Sequence, residues 1–182
     1  MLEITETDWV EEAQAGSVQA VGELYRQHHE QIFRYIWSRT RDTALAEDLT
    51  GEVFIRMVNS LDSYQRQQVP FRAWLYRIAR NLVVDHIRKE SGHMSVPLEQ
   101  ATFLHDNGAK PDSLVDQTLT MEKVQVALDK IDASQREVVE LRFLSGLSLR
   151  EVAQVLDKTV AAVKTLQHRG LASLKVSLLQ EI

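Results

Sequence analysis

Apolar residues recur three and four positions apart along most of the chain, and no stretch alternates apolar with polar. The fold class this predicts is all-α. From Ser17 to Arg39 the positions Val21, Leu24, Tyr25, Ile32, Tyr35 and Ile36 fall on one helical face. A second helix, Asp42 to Leu61, carries Leu45, Leu49, Val53, Met57 and Leu61 as a strict i+4 row. Gly51 interrupts it at a cost of about 1 kcal/mol relative to alanine, so it calls for close packing or a partner near the backbone. Asp62 to Gln68 is polar and reads as a loop. A third helix, Pro70 to Lys89, has Phe71, Trp74, Leu75, Ile78 and Leu82 on its apolar side. Residues 1–14 read as acidic and irregular up to Trp9 and Val10.

Residues 91–118 hold two of the three prolines and two of the seven glycines, and sustain no period. They read as a flexible linker, with Val96, Leu98, Phe103 and Leu104 as residues able to dock. Beyond it helices resume. Val124, Leu128 and Ile131 share a face. Ser134 with Glu137, and Ser148 with Glu151, have capping-box spacing, and Thr159 suits the N-cap of a last helix, Val160 to about Leu179. Val163, Leu171 and Leu174 would face the core. Two small helical domains follow, 1–90 and 119–182, joined by 91–118.

The net charge of −5 argues against nucleic acid only until its distribution is read. Residues 64–90 carry six Lys/Arg against two Asp/Glu, and 159–180 carry Lys164, Arg169 and Lys175 with no acid. Acidic stretches separate these two basic patches, which limits indiscriminate DNA binding and offers a face to a protein partner. With no cysteine, disulfides and thiolate chemistry are excluded. The acidic N-terminus is no secretory signal, and no apolar run reaches the roughly 18 residues of a membrane span, so a cytoplasmic protein without membrane insertion is expected.

On the third helix Arg77, Asn81, Val84 and Arg88 lie along a face distinct from the apolar one, with Arg72 and Arg80 near it. Arginine forks interleaved with Tyr64, Phe71, Trp74 and Tyr76 fit nucleic acid whose bases are unpaired; the plain alternative is a solvated basic face. The short helix from Ser148, the turn at Asp157-Lys158 and the last helix have helix-turn-helix form, with Lys164, Thr165, His168 and Arg169 outward. A plain helical hairpin matches the same pattern. His28 and His29 lack the i, i+4 spacing of a metal pair, no phosphate loop or nucleophile elbow is present, and neither a metal, a cofactor nor an enzymatic activity is expected.

Three segments in order resemble a bacterial RNA polymerase sigma factor of the extracytoplasmic-function (group 4) type. AEDLTGEVFIRMV at 46–58 resembles region 2.2, FRAWLYRIARNLVVDHIRK at 71–89 regions 2.3 and 2.4, and 136–156 with 163–175 region 4. The resemblance implies a non-enzymatic factor that binds core RNA polymerase and promoter DNA, with an anti-sigma factor as a further partner. It implies contacts to the clamp coiled coil of the largest polymerase subunit from Asp48, Glu52 and Arg56. It implies minus-ten reading, including a flipped base, by the Ser63–Val69 loop and by Tyr64, Arg77, Asn81, Asp85 and Arg88, with Trp74 in the core. Minus-thirty-five contacts would come from Lys164, Thr165, His168 and Arg169. The chain departs from the family pattern at Gly51 (usually glutamine), Asp157 (usually glycine), Leu166 (often arginine) and Gln167 (usually apolar). The alternative from the residues alone is a helix-turn-helix regulator that binds duplex DNA without polymerase.

Overall fold

The computed structural model describes residues 5–91 and 123–180. Among them every regular element is helical. Past Ser91, the expected linker lies outside the described residues, as do 119–122.

Three of the first four helices begin at a side chain that accepts from their orphan N–H groups. Ser17 caps α2 (Val18–Thr40) and Asp42 caps α3 (Thr43–Ser60). Arg41 breaks the chain between them in the left-handed region, φ 57°. Helix α4 (Phe71–Glu90) follows Pro70, which terminates the loop with no side-chain cap. The N-terminal stretch is not irregular. It forms α1 (Glu6–Gln14), opened by a full capping box between Thr5 and Asp8, and buries Val10 and Ala13. Three apolar residues set too short a period to announce it, but the T-x-x-D spacing is the signal that does.

In the second half, a helical turn pair over 123–129 (α5) leads to α6 (Ala133–Val139), which continues through a wider π turn at Glu140–Leu144. The capping box expected at Ser134 is not formed. Asp132 is the cap, accepting from the N–H groups of Ser134 and Gln135, and Glu137 is drawn away by Arg80. The Ser148–Glu151 box does form and opens α7 (Leu149–Leu156). Asp157 then turns the chain in the left-handed region, φ 53°, and Thr159 caps α8 (Val160–Leu179). Gly170 of α8 lies where a Cβ would sit 2.9 Å from Val139 Cγ2 and 3.1 Å from the Gln135 carbonyl, which sets how closely α6 and α8 cross. Leu171, expected in the core, is 40% exposed, and Gly170 beside it takes the inward position.

The two halves are packed together. One apolar cluster runs from Leu24, Ile36, Met57, Leu75 and Tyr76 into Val138, Leu141, Leu147 and Val152. Helix α4 lies between α2 and α3 on one side and α7 on the other. That is why Tyr76, Val83 and Val84 are buried as well as Phe71, Leu75 and Leu82, and why Val84 is not on an open face.

Charge of opposite sign closes the same seam. Arg39 of α2 donates to Glu140 at 3.0 Å, and Arg80 of α4 donates to Glu137 at 2.7 Å through Nε and 3.2 Å through Nη2. Arg136 also donates to Glu140, at 2.7 Å, and to the Ser38 carbonyl at 3.2 Å. Arg72 grips Glu151 at 3.0 and 3.2 Å. Burial disfavours the charged guanidinium of Arg39, yet Glu140 and Glu137 beside it hold its pKa above the usual arginine value. Glu140 itself is fully buried. Removing one partner from such a cluster leaves like charges in a dry site. Glu140→Ala is therefore expected to lower unfolding free energy by about 3–5 kcal/mol, measured by chemical denaturation.

Candidate nucleic-acid interface

Helix α3 turns a continuous stripe outward. Asp48, Gly51, Ile55 and Arg56 are exposed and Glu52 is partly so, while Val53, Phe54 and Met57 hold the opposite face in the core. Arg56 Nε donates to Glu52 Oε1 at 2.8 Å one turn away. Ile55 and Val58 are 57% and 48% exposed. A Cβ at Gly51 would meet nothing within 4 Å, so close packing inside the chain is not its reason.

The residues expected to read unpaired DNA divide into three groups. Asn81 and Asp85 are exposed one turn apart on α4, and Arg88 is half-buried further along the stripe. Arg77 is half-buried, and its Nη2 donates to the Gln154 carbonyl of α7 at 2.6 Å. Tyr64 is buried: its ring lies 4.8 Å from that of Trp74 and 5.6 Å from that of Phe71, and its hydroxyl donates to the Val69 carbonyl at 2.7 Å. Burial pushes its pKa up to about 12. In this arrangement Tyr64 shapes the loop from inside. Asp62 and Ser63 are exposed, as are Gln65, Arg66, Gln67 and Gln68, four in succession beyond Tyr64, and periodicity could not single them out because the loop has none.

Arg72 and Arg80, read from sequence only as neighbours of the basic row, are committed to Glu151 and Glu137. The carboxyl of Glu151 would be raised by burial, but hydrogen bonds from Arg72 and from the Ser148 backbone and hydroxyl outweigh this and hold it below the ordinary value. Nothing local in the sequence marks these pairs, since the partners lie 57 and 79 residues apart.

On α8, Lys164, Thr165, His168 and Arg169 are all exposed on one side of the N-terminal two-thirds of the helix. Thr165 Oγ1 donates back to the Ala161 carbonyl at 3.1 Å. Val163 anchors the helix on the core shared with Val152, Val155 and Leu156, and Leu166 packs partly against it. The unusual Gln167 has a partner: its Oε1 accepts from Arg142 Nε at 3.0 Å. A polar residue is thus accommodated where the family pattern has an apolar one. Among the described residues no group of His, Asp and Glu is arranged to hold a metal ion, and no helix is long and apolar enough to cross a membrane.

A helix-turn-helix with an acid-free outward face, packed on a helical half that presents a glutamine and arginine loop, has the form of a nucleic-acid-binding protein. Residues 24–93 match the family model Sigma-70 region 2, and residues 127–176 match Sigma-70, region 4. The chain is 38% identical over 165 residues to the ECF RNA polymerase sigma factor BldN of Streptomyces coelicolor, covering 91% of this chain and 62% of BldN. It is 33% identical over 158 residues to the ECF RNA polymerase sigma factor SigX of Bacillus subtilis, covering 84% and 80%. Its fold is similar to a solved structure of CnrH in complex with the cytosolic domain of CnrY, with a TM-score of 0.74, 25% identity, and 96% and 97% of the two chains covered. The chain belongs to the extracytoplasmic-function (ECF) RNA polymerase sigma factors. It spans less than two thirds of the length of BldN.

The exposed position of Gly51 makes one outcome specific. Gly51→Ala is expected to stabilise the isolated chain by about 1 kcal/mol, since it adds helix propensity and meets no neighbour. Thermal unfolding of the two proteins checks this; a destabilised variant would mean that the backbone at residue 51 is strained.

Proposed function

We propose that the chain binds core RNA polymerase through the α3 stripe and directs it to promoters read at two elements, by the 61–69 loop with α4 and by α8. Membership of the sigma family supports the activity. The observation that supports the division of labour is the separation of two faces: α8 presents Lys164, Thr165, His168 and Arg169 to solvent, and Asn81 and Asp85 stand apart on α4. The domain assignment follows, with 1–90 for polymerase and minus-ten DNA and 119–182 for minus-thirty-five DNA. The protein works in the cytoplasm, and neither a cofactor nor a catalytic step is involved.

The arrangement also orders the events. Arg77 is half-buried with its Nη2 on the Gln154 carbonyl, so α7 covers part of the α4 face that would meet the minus-ten strand, and α7 moves aside before the strand engages there. The α8 face meets no such obstacle. We infer that a protein partner of the anti-sigma type controls the opening, as CnrH is found with the cytosolic domain of CnrY.

Two substitutions test the reading. Arg169→Ala is expected to weaken minus-thirty-five binding by holoenzyme by ~1–3 kcal/mol, the worth of one bidentate base contact, in a titration of promoter duplex. An unchanged affinity there would remove α8 from the interface. Asp48→Arg is expected to reduce affinity for core polymerase while leaving the unfolding transition of the free chain in place. Unimpaired holoenzyme formation would move the docking surface off α3. A wild-type chain that protects promoter duplex without core polymerase would favour the regulator reading.

A further inference from the structure

The N-terminal helix is hydrogen-bonded to the reading loop through one side chain. Gln14, the last residue of α1, uses both hydrogens of its amide nitrogen: Nε2 donates to the Leu61 carbonyl at 2.9 Å and to the Tyr64 carbonyl at 3.0 Å. Those carbonyls belong to the first residue of the 3-10 turn Leu61–Ser63, through which the chain leaves α3, and to the residue that follows it. Helix α1 is itself fixed. Its N-terminus is closed by the Thr5–Asp8 box, Val10 and Ala13 are buried, and Glu6 Oε1 lies 2.5 Å from Nε2 of the buried His28. Glu11 of α1 also lies 4.0 Å from Arg66 of the loop.

The loop's own ties are local. The Tyr64 N–H donates to the Leu61 carbonyl at 3.1 Å, Tyr64 Oη to the Val69 carbonyl at 2.7 Å, Ser63 Oγ to the Ser60 carbonyl at 2.8 Å, the Gln68 and Val69 N–H groups to the Gln65 carbonyl at 3.1 and 3.5 Å, and Gln68 Nε2 to Gln65 Oε1 at 2.6 Å; from α7, Gln154 Nε2 donates to the Gln68 carbonyl at 3.3 Å. No ladder of a helix or sheet holds Gln65, Arg66, Gln67 and Gln68, which stand exposed in a row. Glutamine amides and an arginine fork are the groups that pair with base edges two bonds at a time. Such pairing needs the backbone beneath them held to a fraction of an ångström.

We propose that α1 is a brace for the 61–69 loop, and that Gln14 is a positioning residue for base discrimination in the minus-ten strand. This rests on the function proposed above. Gln14 touches no base; it fixes the two carbonyls from which the reading side chains are hung. A carboxylate at this position has the same shape and no donor, so it turns both contacts into repulsions. An ammonium keeps the donors and the reach.

The test uses holoenzyme assembled from core polymerase with the full-length chain, as wild type, Gln14→Glu and Gln14→Lys. The probe is a pool of forked promoter DNA whose single-stranded minus-ten segment is randomised; a second pool is randomised over a duplex minus-thirty-five segment. Bound DNA is sequenced. Expected is a loss of about tenfold in base enrichment at minus-ten positions for Gln14→Glu, the discrimination carried by one bidentate contact. Gln14→Lys keeps the wild-type enrichment, and all three proteins choose the same minus-thirty-five bases. Identical minus-ten preferences for wild type and Gln14→Glu overturn the proposal. So does a parallel loss at both elements, which is the mark of a damaged fold. A wild-type holoenzyme without any minus-ten preference fails differently: it takes down the functional reading itself, and the brace with it.

Discussion

Three glutamates of the C-terminal half, Glu137, Glu140 and Glu151, each receive an arginine from the N-terminal half. The rest of the arrangement depends on these pairs. A carboxylate as deeply buried as Glu140 is tolerated only because Arg39 and Arg136 close on it together. Once they do, the apolar faces of α4 and α7 meet, and one core spans both halves. The charge also sets direction. Arginine forks accept a bidentate partner in a narrow geometry, so the seam closes in one register rather than sliding.

The same side chains connect the fold to the proposed function. Arginines on α4 are suited to carboxylates and to phosphates for the same reason, a planar fork with paired donors. A guanidinium held by glutamate is not available to DNA, and Arg77 is held by a backbone carbonyl of α7. The packed form therefore offers the α8 face while engaging part of α4. Ionic contacts of this kind are exchanged for others at small net cost when a second charged partner arrives, whereas the apolar seam between α4 and α7 must be replaced by new burial. Core polymerase and a protein inhibitor both have the size to supply it.

Much of the fold was legible because it is written locally. The i+4 row of α3, the box at Ser148, the left-handed Asp157 and the cap at Thr159 all depend on neighbours within one turn. Sequence reading failed where a distant residue intervened. Glu137 was expected to cap its own helix and was taken by Arg80 instead. Val84 was expected on an open face and is covered by packing against α4 from both sides. Helix α1 was missed although its Thr5 and Asp8 were in view, because its apolar residues are too few to set a period. Of the candidate site, the α3 residues came from the family resemblance, while the exposed α8 face was legible as a surface pattern. The inward turn of Tyr64 and the ties of Gln14 were not, since hydrogen bonds to carbonyls 47 and 50 residues away leave no mark on spacing.

The central claim is that this chain gives core polymerase its choice of promoter. Run-off transcription of fragmented host genomic DNA by bacterial core polymerase, with and without the protein, tests it most directly. The expected result is a set of defined new start sites that appear only when the chain is added, with shared sequence at two upstream elements. No new start sites, together with no binding to core polymerase, would contradict it.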